Sequence, residues 1–82
     1  DLVLEMDGQI GGADIKRTSM LDREYLFYQL NIYRIAFFQS YGVEWEFLRG
    51  VHLRDHRHRF VQIPIDNEAP MKKVYEYLED LR

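Results

Sequence analysis

The chain has 82 residues, with 11 Lys and Arg against 14 Asp and Glu, a net charge of −3 and no cysteine. This length predicts a single domain spanning residues 1–82, and the acidic balance argues against a general nucleic-acid binder, which is usually basic. Disulfides are excluded, so a core this small is expected to draw stability from another source, such as a metal or oligomerisation.

The N-terminal residues predict a β-hairpin. Residues 2–6 form a strand-like apolar run, and Asp7-Gly8 follows as a pair that favours a tight turn, because both turn positions need positive φ. A return strand is expected to begin at Gln9. Gly11-Gly12 predicts a bulge or an early end of that strand.

A long first helix is predicted over residues 20–41. Ser19 and Asp22 approximate a capping box at its start, and Gly42 suits the left-handed position that ends a helix. Neither Pro nor Gly interrupts the segment between them. At about 1.5 Å per residue, such a helix is about 33 Å long.

Three strands are predicted after this helix. Residues 43–47 alternate apolar and polar side chains, and Arg49-Gly50 is expected to form a turn. Residues 51–54 predict a second strand, residues 55–58 a polar loop, and residues 59–65 a third strand. Proline near the end of the third strand indicates a position at the edge of the sheet.

A second, amphipathic helix closes the predicted fold. Pro70 suits the first helical position, and one apolar stripe is expected to face the core: Met71, Val74, Tyr75, Leu78 and Leu81. The element order is therefore ββ-α-βββ-α. It predicts an α+β fold with an antiparallel sheet, because strands and helices do not strictly alternate.

The first helix carries more than one apolar arc around its circumference, whereas a helix on the surface of a monomer usually shows one stripe. One explanation is a central helix covered on several sides by its own chain. The other is that one face packs on the sheet and another binds a second chain. The proposed partner-binding residues are Leu26, Phe27, Leu30, Tyr33, Phe37 and Phe38.

Residues 49–59 are the one segment whose composition differs clearly from the rest of the chain. They contain four arginines, one aspartate and all three histidines. A solvated hairpin loop is the first interpretation. A metal site built from His52, His56, His58 and Asp55 is the second, although the arginines would repel a cation. The third is an anion or nucleic-acid site, for which the candidate residues are Arg54, Arg57, Arg59, His56 and His58.

Catalytic constellations are absent from the sequence. Ser19 is better explained as a helix cap and Ser40 as a helix-end residue, while Glu44 and Glu46 are expected to face solvent on one side of a strand. The sequence therefore predicts neither catalytic residues nor a cofactor. No apolar run approaches the length of a membrane span and no signal peptide is visible, which favours a cytoplasmic protein that does not contact membranes.

These patterns predict a non-enzymatic interaction or regulatory module. It is expected to form a homodimer, or to dock on a protein partner, through an apolar face of the first helix. The alternative is a module that binds nucleic acid or a phosphate ligand through residues 49–59. Self-association that persists in high salt favours the first hypothesis, and affinity that falls steeply with salt favours the second.

Overall fold

The computed structural model of the protein describes residues 2–17 and 20–81, which form four strands and two helices. In chain order they are β1 (Leu2–Met6), β2 (Gln9–Lys16), α1 (Arg23–Tyr41), β3 (Phe47–Arg54), β4 (Arg57–Ile63) and α2 (Glu68–Asp80). The predicted α+β class is confirmed. The predicted order ββ-α-βββ-α is wrong by one strand, because residues 43–46 are irregular and the next strand runs without a break from Phe47.

The four strands form one mixed sheet in the order β1-β2-β3-β4. The outer pairs are antiparallel hairpins, whereas the central strands β2 and β3 run parallel. The prediction of a purely antiparallel sheet is therefore wrong at its centre. Parallel neighbours need a long crossover connection, and α1 supplies it.

Three glycines inside the strands allow close packing instead of breaking the strands. A Cβ at Gly12 would overlap the ring of Trp45, and a Cβ at Gly11 would overlap the ring of Phe47. At Gly50 a Cβ would lie 2.8 Å from Cδ1 of Leu26 on α1. The predicted interruption at residues 11–12 and the predicted turn at residues 49–50 are therefore wrong, because these glycines leave room for large side chains from elsewhere.

The turns and helix ends agree more closely with the sequence. Asp7 and Gly8 have φ of 52° and 80°, which confirms the predicted hairpin turn. Gly42 is left-handed and donates its N–H to the carbonyl of Phe38 at 2.8 Å, which confirms the predicted end of α1. The helix begins later than predicted: Asp22 is the N-cap and accepts the N–H of Tyr25 at 3.0 Å. The proposed cap Ser19 lies outside the described residues.

The hydrophobic core lies between α1 and one face of the sheet. It comprises Leu26 and Leu30 from α1, Trp45 from the connection before β3, and Leu48, Val61 and Ile63 from the sheet. The molecule measures 45 × 31 × 16 Å between Cα extremes. Since packed layers are about 10 Å apart, the thinnest dimension accommodates the sheet and one helical layer, but no third layer.

Asn31 joins α1 to the segment that leads into α2. Its Nδ2 donates to the carbonyls of Phe27 and Pro64 at 2.9 and 3.0 Å, and its Oδ1 accepts the Asp66 N–H at 3.0 Å. Arg34 completes the cluster, with Nε donating to the same Oδ1 at 3.3 Å. Asn31 is fully buried. This network fixes the 64–67 segment against α1.

The second helix is less buried than its sequence predicts. It packs against α1 and makes no comparable contact with the sheet. Pro70 is buried and Met71 and Val74 are half-buried, but Tyr75, Leu78 and Leu81 are at least half exposed. The prediction that the whole apolar stripe faces the core is therefore wrong, because the C-terminal half of α2 has neither sheet nor helix over it.

Substituting Gly12 tests the close approach of Trp45 to the sheet. We expect Gly12→Ala to lower the free energy of unfolding by about 1–3 kcal/mol, because the new methyl group overlaps a rigid indole ring. Urea denaturation measures this change. In a Trp45→Leu background the same substitution should cost much less, and an equal cost in both backgrounds would contradict the packing contact.

Substituting Asn31 tests the polar network. We expect Asn31→Ala to lower the free energy of unfolding by about 2–4 kcal/mol, because it leaves the Asp66 N–H and the Pro64 carbonyl without their partner. Gln39→Ala, an exposed change on the same helix, should alter stability by less than about 0.5 kcal/mol. Similar effects of the two substitutions in urea denaturation would rule out the proposed role of Asn31.

Candidate functional site

Strand register divides the side chains of the sheet between two faces. Leu48 and Gly50 of β3 lie under α1, so their paired neighbours and every second residue along each strand share that side. We call this side the helix face and the other side the open face. Within residues 2–17 and 20–81, neither helix packs on the open face, since α1 lies on the helix face and α2 contacts α1.

The open face is more apolar than the helix face. Among the side chains that the structure describes on this face, eight are apolar, Leu4, Met6, Ala13, Ile15, Phe47, Val51, Leu53 and Phe60, and four are polar, Gln9, Arg49, His58 and Gln62. The helix face has five apolar side chains, Val3, Ile10, Leu48, Val61 and Ile63, and seven polar ones, Glu5, Asp14, Lys16, His52, Arg54, Arg57 and Arg59. A sheet that is covered by helices on one face only usually shows the opposite distribution, with its polar side chains on the uncovered face.

The centre of the open face is a packed aromatic and cationic group. The ring of Phe47 lies over Gly11, and Phe47 is 7% exposed although no helix covers it. The guanidinium of Arg49 lies over this ring, with Cζ 5.1 Å from the ring centre, and Nη1 is 3.7 Å from Sδ of Met6. These contacts hold the long Arg49 side chain flat along the sheet.

The rim of the open face is apolar and accessible. Ile15 on β2 is 43% exposed and Phe60 on β4 is 53% exposed, on opposite sides of Val51. The rings of His58 and Phe60 meet edge to face with centroids 5.8 Å apart. The sequence interpretation missed this surface because it divided residues 47–54 between two strands, which hid the alternation that begins at Phe47.

The six partner-binding residues predicted on α1 divide into three pairs. Leu26 and Leu30 are 1% and 0% exposed and pack on the protein's own sheet, so no partner reaches them in this conformation. Phe27 and Phe37 are half-buried against the same core. Tyr33 and Phe38 are 44% and 50% exposed.

The outer side of α1 is apolar but interrupted. Three shallow cavities of about 260, 310 and 450 Å³ lie along it, each involving Ile32 or Tyr33. Lys73 of α2 lies over the ring of Tyr28 at 5.1 Å and partly fills the space between the helices. This surface is less continuous than the open face.

A basic group lies where the β3–β4 hairpin extends beyond the start of α1. Arg54 pairs with Arg57 across the strands and His52 pairs with Arg59, so all four side chains are on the helix face. Like charges directly opposite each other destabilise a sheet, and Arg54 and Arg57 form such a pair in this hairpin. The structure thus brings together the three arginines that the sequence predicted as an anion site.

The two predicted histidines of that site are not on the helix face with these arginines, although His58 still lines the cavity in front of them. His58 is on the open face, and His56 is in the turn, where it and Asp55 have φ of 64° and 49°. His52, which the sequence interpretation left out of the anion site, takes their place. Only the strand register reveals this, because residues 55 and 56 form a two-residue turn and not the four-residue loop that was predicted.

A cavity of about 900 Å³ opens in front of the basic group. Its lining includes the basic group, His58 and two apolar side chains that precede α1, Met20 and Leu21. Asp55, the acidic side chain in the lining, has Oδ2 3.7 Å from Nε of Arg54. Arg57 and Arg59 have no carboxylate within ion-pair distance in the described part of the chain.

Two charged side chains outside the basic group, Lys16 on β2 and Arg34 on α1, are held by their surroundings. Nζ of Lys16 lies 2.8 Å from Oδ2 of the buried Asp14 and 5.4 Å from the ring centre of Tyr25. The hydrogen bond from Lys16 to this carboxylate raises the pKa of Lys16 above its usual value. In Arg34, burial lowers the pKa of the guanidinium. Both groups are structural and stay charged at neutral pH.

The arrangement does not assemble the other sites considered from the sequence. His52, His56 and His58 occupy one face, the turn and the other face, and the described residues contain no cluster of three potential metal ligands. Glu44 and Glu46 are exposed in the irregular connection before β3, so they do not share the face of a strand as predicted.

Comparisons with models of protein families, with curated proteins and with solved structures found no match to this chain. Of the helices in the described ranges, neither is long and apolar enough to span a membrane. The described residues present two distinctive surfaces, the apolar open face and the basic cavity at the hairpin.

Reversing one charge tests the repulsion within the basic group. We expect Arg57→Glu to raise the free energy of unfolding by about 0.5–1 kcal/mol at low salt, because it replaces a like-charge pair opposite Arg54 with an opposite-charge pair. The gain should shrink in about 1 M salt. Lys72→Glu changes the net charge equally but should not stabilise, since Glu68 and Glu76 lie four residues away on either side. Urea denaturation at both salt concentrations measures these effects, and a destabilised Arg57→Glu protein would disprove the repulsion.

Proposed function

We propose that this protein is a non-enzymatic interaction module that forms a two-fold homodimer through the open face of its sheet. The observation that carries the proposal is the inverted distribution of side chains, with more apolar residues on the open face than on the face that α1 covers. Extended exposed apolar surfaces on small proteins usually mark a site of association.

A second copy is the partner that best fits the shape and chemistry of the open face. Two sheets pack face to face about 10 Å apart when both inner faces are apolar, and a two-fold axis brings the same residues to both sides. Phe47 and Arg49 are already held flat at the centre of the face, so little side-chain entropy is lost there on association. The exposed rings of Phe60 then lie at the margin.

The size of the open face determines the affinity that we expect for the dimer. Four strands about 4.8 Å apart and about seven residues long, at about 3.3 Å per residue, present roughly 450 Å² in projection. Two such faces present roughly 900 Å² in projection, which is below the about 1,200 Å² at which stable specific interfaces begin and falls in the range of weak, transient ones. We therefore expect a dissociation constant in the micromolar range.

The surface predicted from sequence, the outer side of α1, is the rival location for the same function. Tyr33 and Phe38 remain accessible there, although Leu26 and Leu30 belong to the core. Tyr25 and Tyr41 on α1 are exposed as well, at 56% and 70%. We favour the open face because Lys73 and three shallow cavities interrupt the helix surface. Single substitutions on the two surfaces distinguish them.

Phe60→Asp tests the proposal. We expect this variant to raise the dimer dissociation constant by more than about tenfold, because a two-fold interface contains the substituted side chain twice and each copy loses part of the about 1.5–3 kcal/mol that full burial of such a side chain contributes. Sedimentation equilibrium between about 1 and 100 μM protein measures the constant. Circular dichroism establishes that the exposed substitution leaves the fold intact.

Phe38→Asp is the matched control, since Phe38 is as exposed as Phe60 but lies on α1. It should leave the dissociation constant within about twofold of the unchanged protein. A protein that remains monomeric at 100 μM would refute self-association. Weakening by Phe38→Asp and not by Phe60→Asp would move the interface to α1.

A further inference from the structure

The basic cavity at the end of the β3–β4 hairpin has no role in the proposed dimer. Its arginines are on the helix face, whereas the dimer uses the open face. We propose that this cavity binds a small molecule that carries several phosphate groups beside an apolar group, as a nucleoside triphosphate does.

The placement of the charges is the first support. Four basic side chains lie close together on one face of the sheet. They form two neighbouring cross-strand pairs, Arg54 with Arg57 and His52 with Arg59. The repulsion lowers stability in the absence of a ligand, and a bound polyanion removes it. Arginines are suited to this ligand because each guanidinium donates two parallel hydrogen bonds to phosphate oxygens.

The volume of the cavity and its apolar lining residues indicate what the ligand carries besides phosphate groups. A volume of about 900 Å³ lies within the range of small-molecule sites and is larger than a single phosphate needs. Met20 and Leu21 line the same space as the arginines and offer an apolar surface to the part of the ligand that carries no charge. The lining of this cavity is therefore both cationic and apolar.

The charge of the remaining chain favours a small ligand over a nucleic-acid strand. Residues 49–59 carry four arginines and one aspartate, a local charge of +3. Since the net charge of the chain is −3, the other residues carry a net charge of −6. A long polyanion that extends beyond the cavity meets this acidic surface, whereas a compact phosphate ligand does not.

Isothermal titration of the full chain with ATP, inorganic tripolyphosphate and inorganic phosphate tests the proposal. We expect affinity to rise from phosphate to tripolyphosphate to ATP and to fall between about 50 and 300 mM salt. The combined variant Arg57→Gln with Arg59→Gln should bind ATP at least about tenfold more weakly, because each arginine loses charge-assisted hydrogen bonds.

Lys72→Gln combined with Lys73→Gln removes the same charge from α2 and should leave ATP affinity within about twofold. An equal loss in this control would show a general charge effect and overturn the proposal, as would the absence of ATP binding at millimolar concentration. Tripolyphosphate binding as tightly as ATP would refute the apolar half of the site. A ten-residue oligothymidylate binding more tightly than ATP would reassign the cavity to nucleic acid.

Discussion

The fold depends on the close packing of α1 against the sheet. Leu26 reaches the backbone of β3 at Gly50, where an added Cβ would lie 2.8 Å from its Cδ1 and force the side chain or the helix to shift. Trp45 reaches β2 at Gly12 in the same manner. Because α1 and Trp45 both pack on the helix face and α2 packs on α1, neither helix of the described residues covers the opposite face of the sheet.

The same geometry explains which features the sequence predicted and which it did not. Asp7-Gly8 and Gly42 were predictable because local φ requirements determine their positions. Gly11, Gly12 and Gly50 were misread as breaks, because their roles depend on rings and side chains that are distant in sequence. The parallel pairing of β2 with β3 was missed for a similar reason, since no local pattern distinguishes it from antiparallel pairing.

The candidate sites were predicted in part. Three arginines were assigned to one anion site from composition, and the structure puts them on one face; but His52 belongs with them and His56 does not, which only register decides. The sequence shows more apolar residues on α1 than one stripe needs, but two of them, Leu26 and Leu30, belong to the hydrophobic core of the domain. The open face went unnoticed because its apolar residues come from four strands, and no single strand segment shows them together.

The parallel pairing of β2 with β3 also has a consequence for how the chain folds. Each hairpin closes through a two-residue turn, so β1–β2 and β3–β4 make local contacts that form early. Gly11 and Phe47 pair between β2 and β3 although 36 positions separate them, and that contact requires the intervening chain to loop back. We therefore expect helix docking and the joining of the two hairpins to be one late, rate-limiting event.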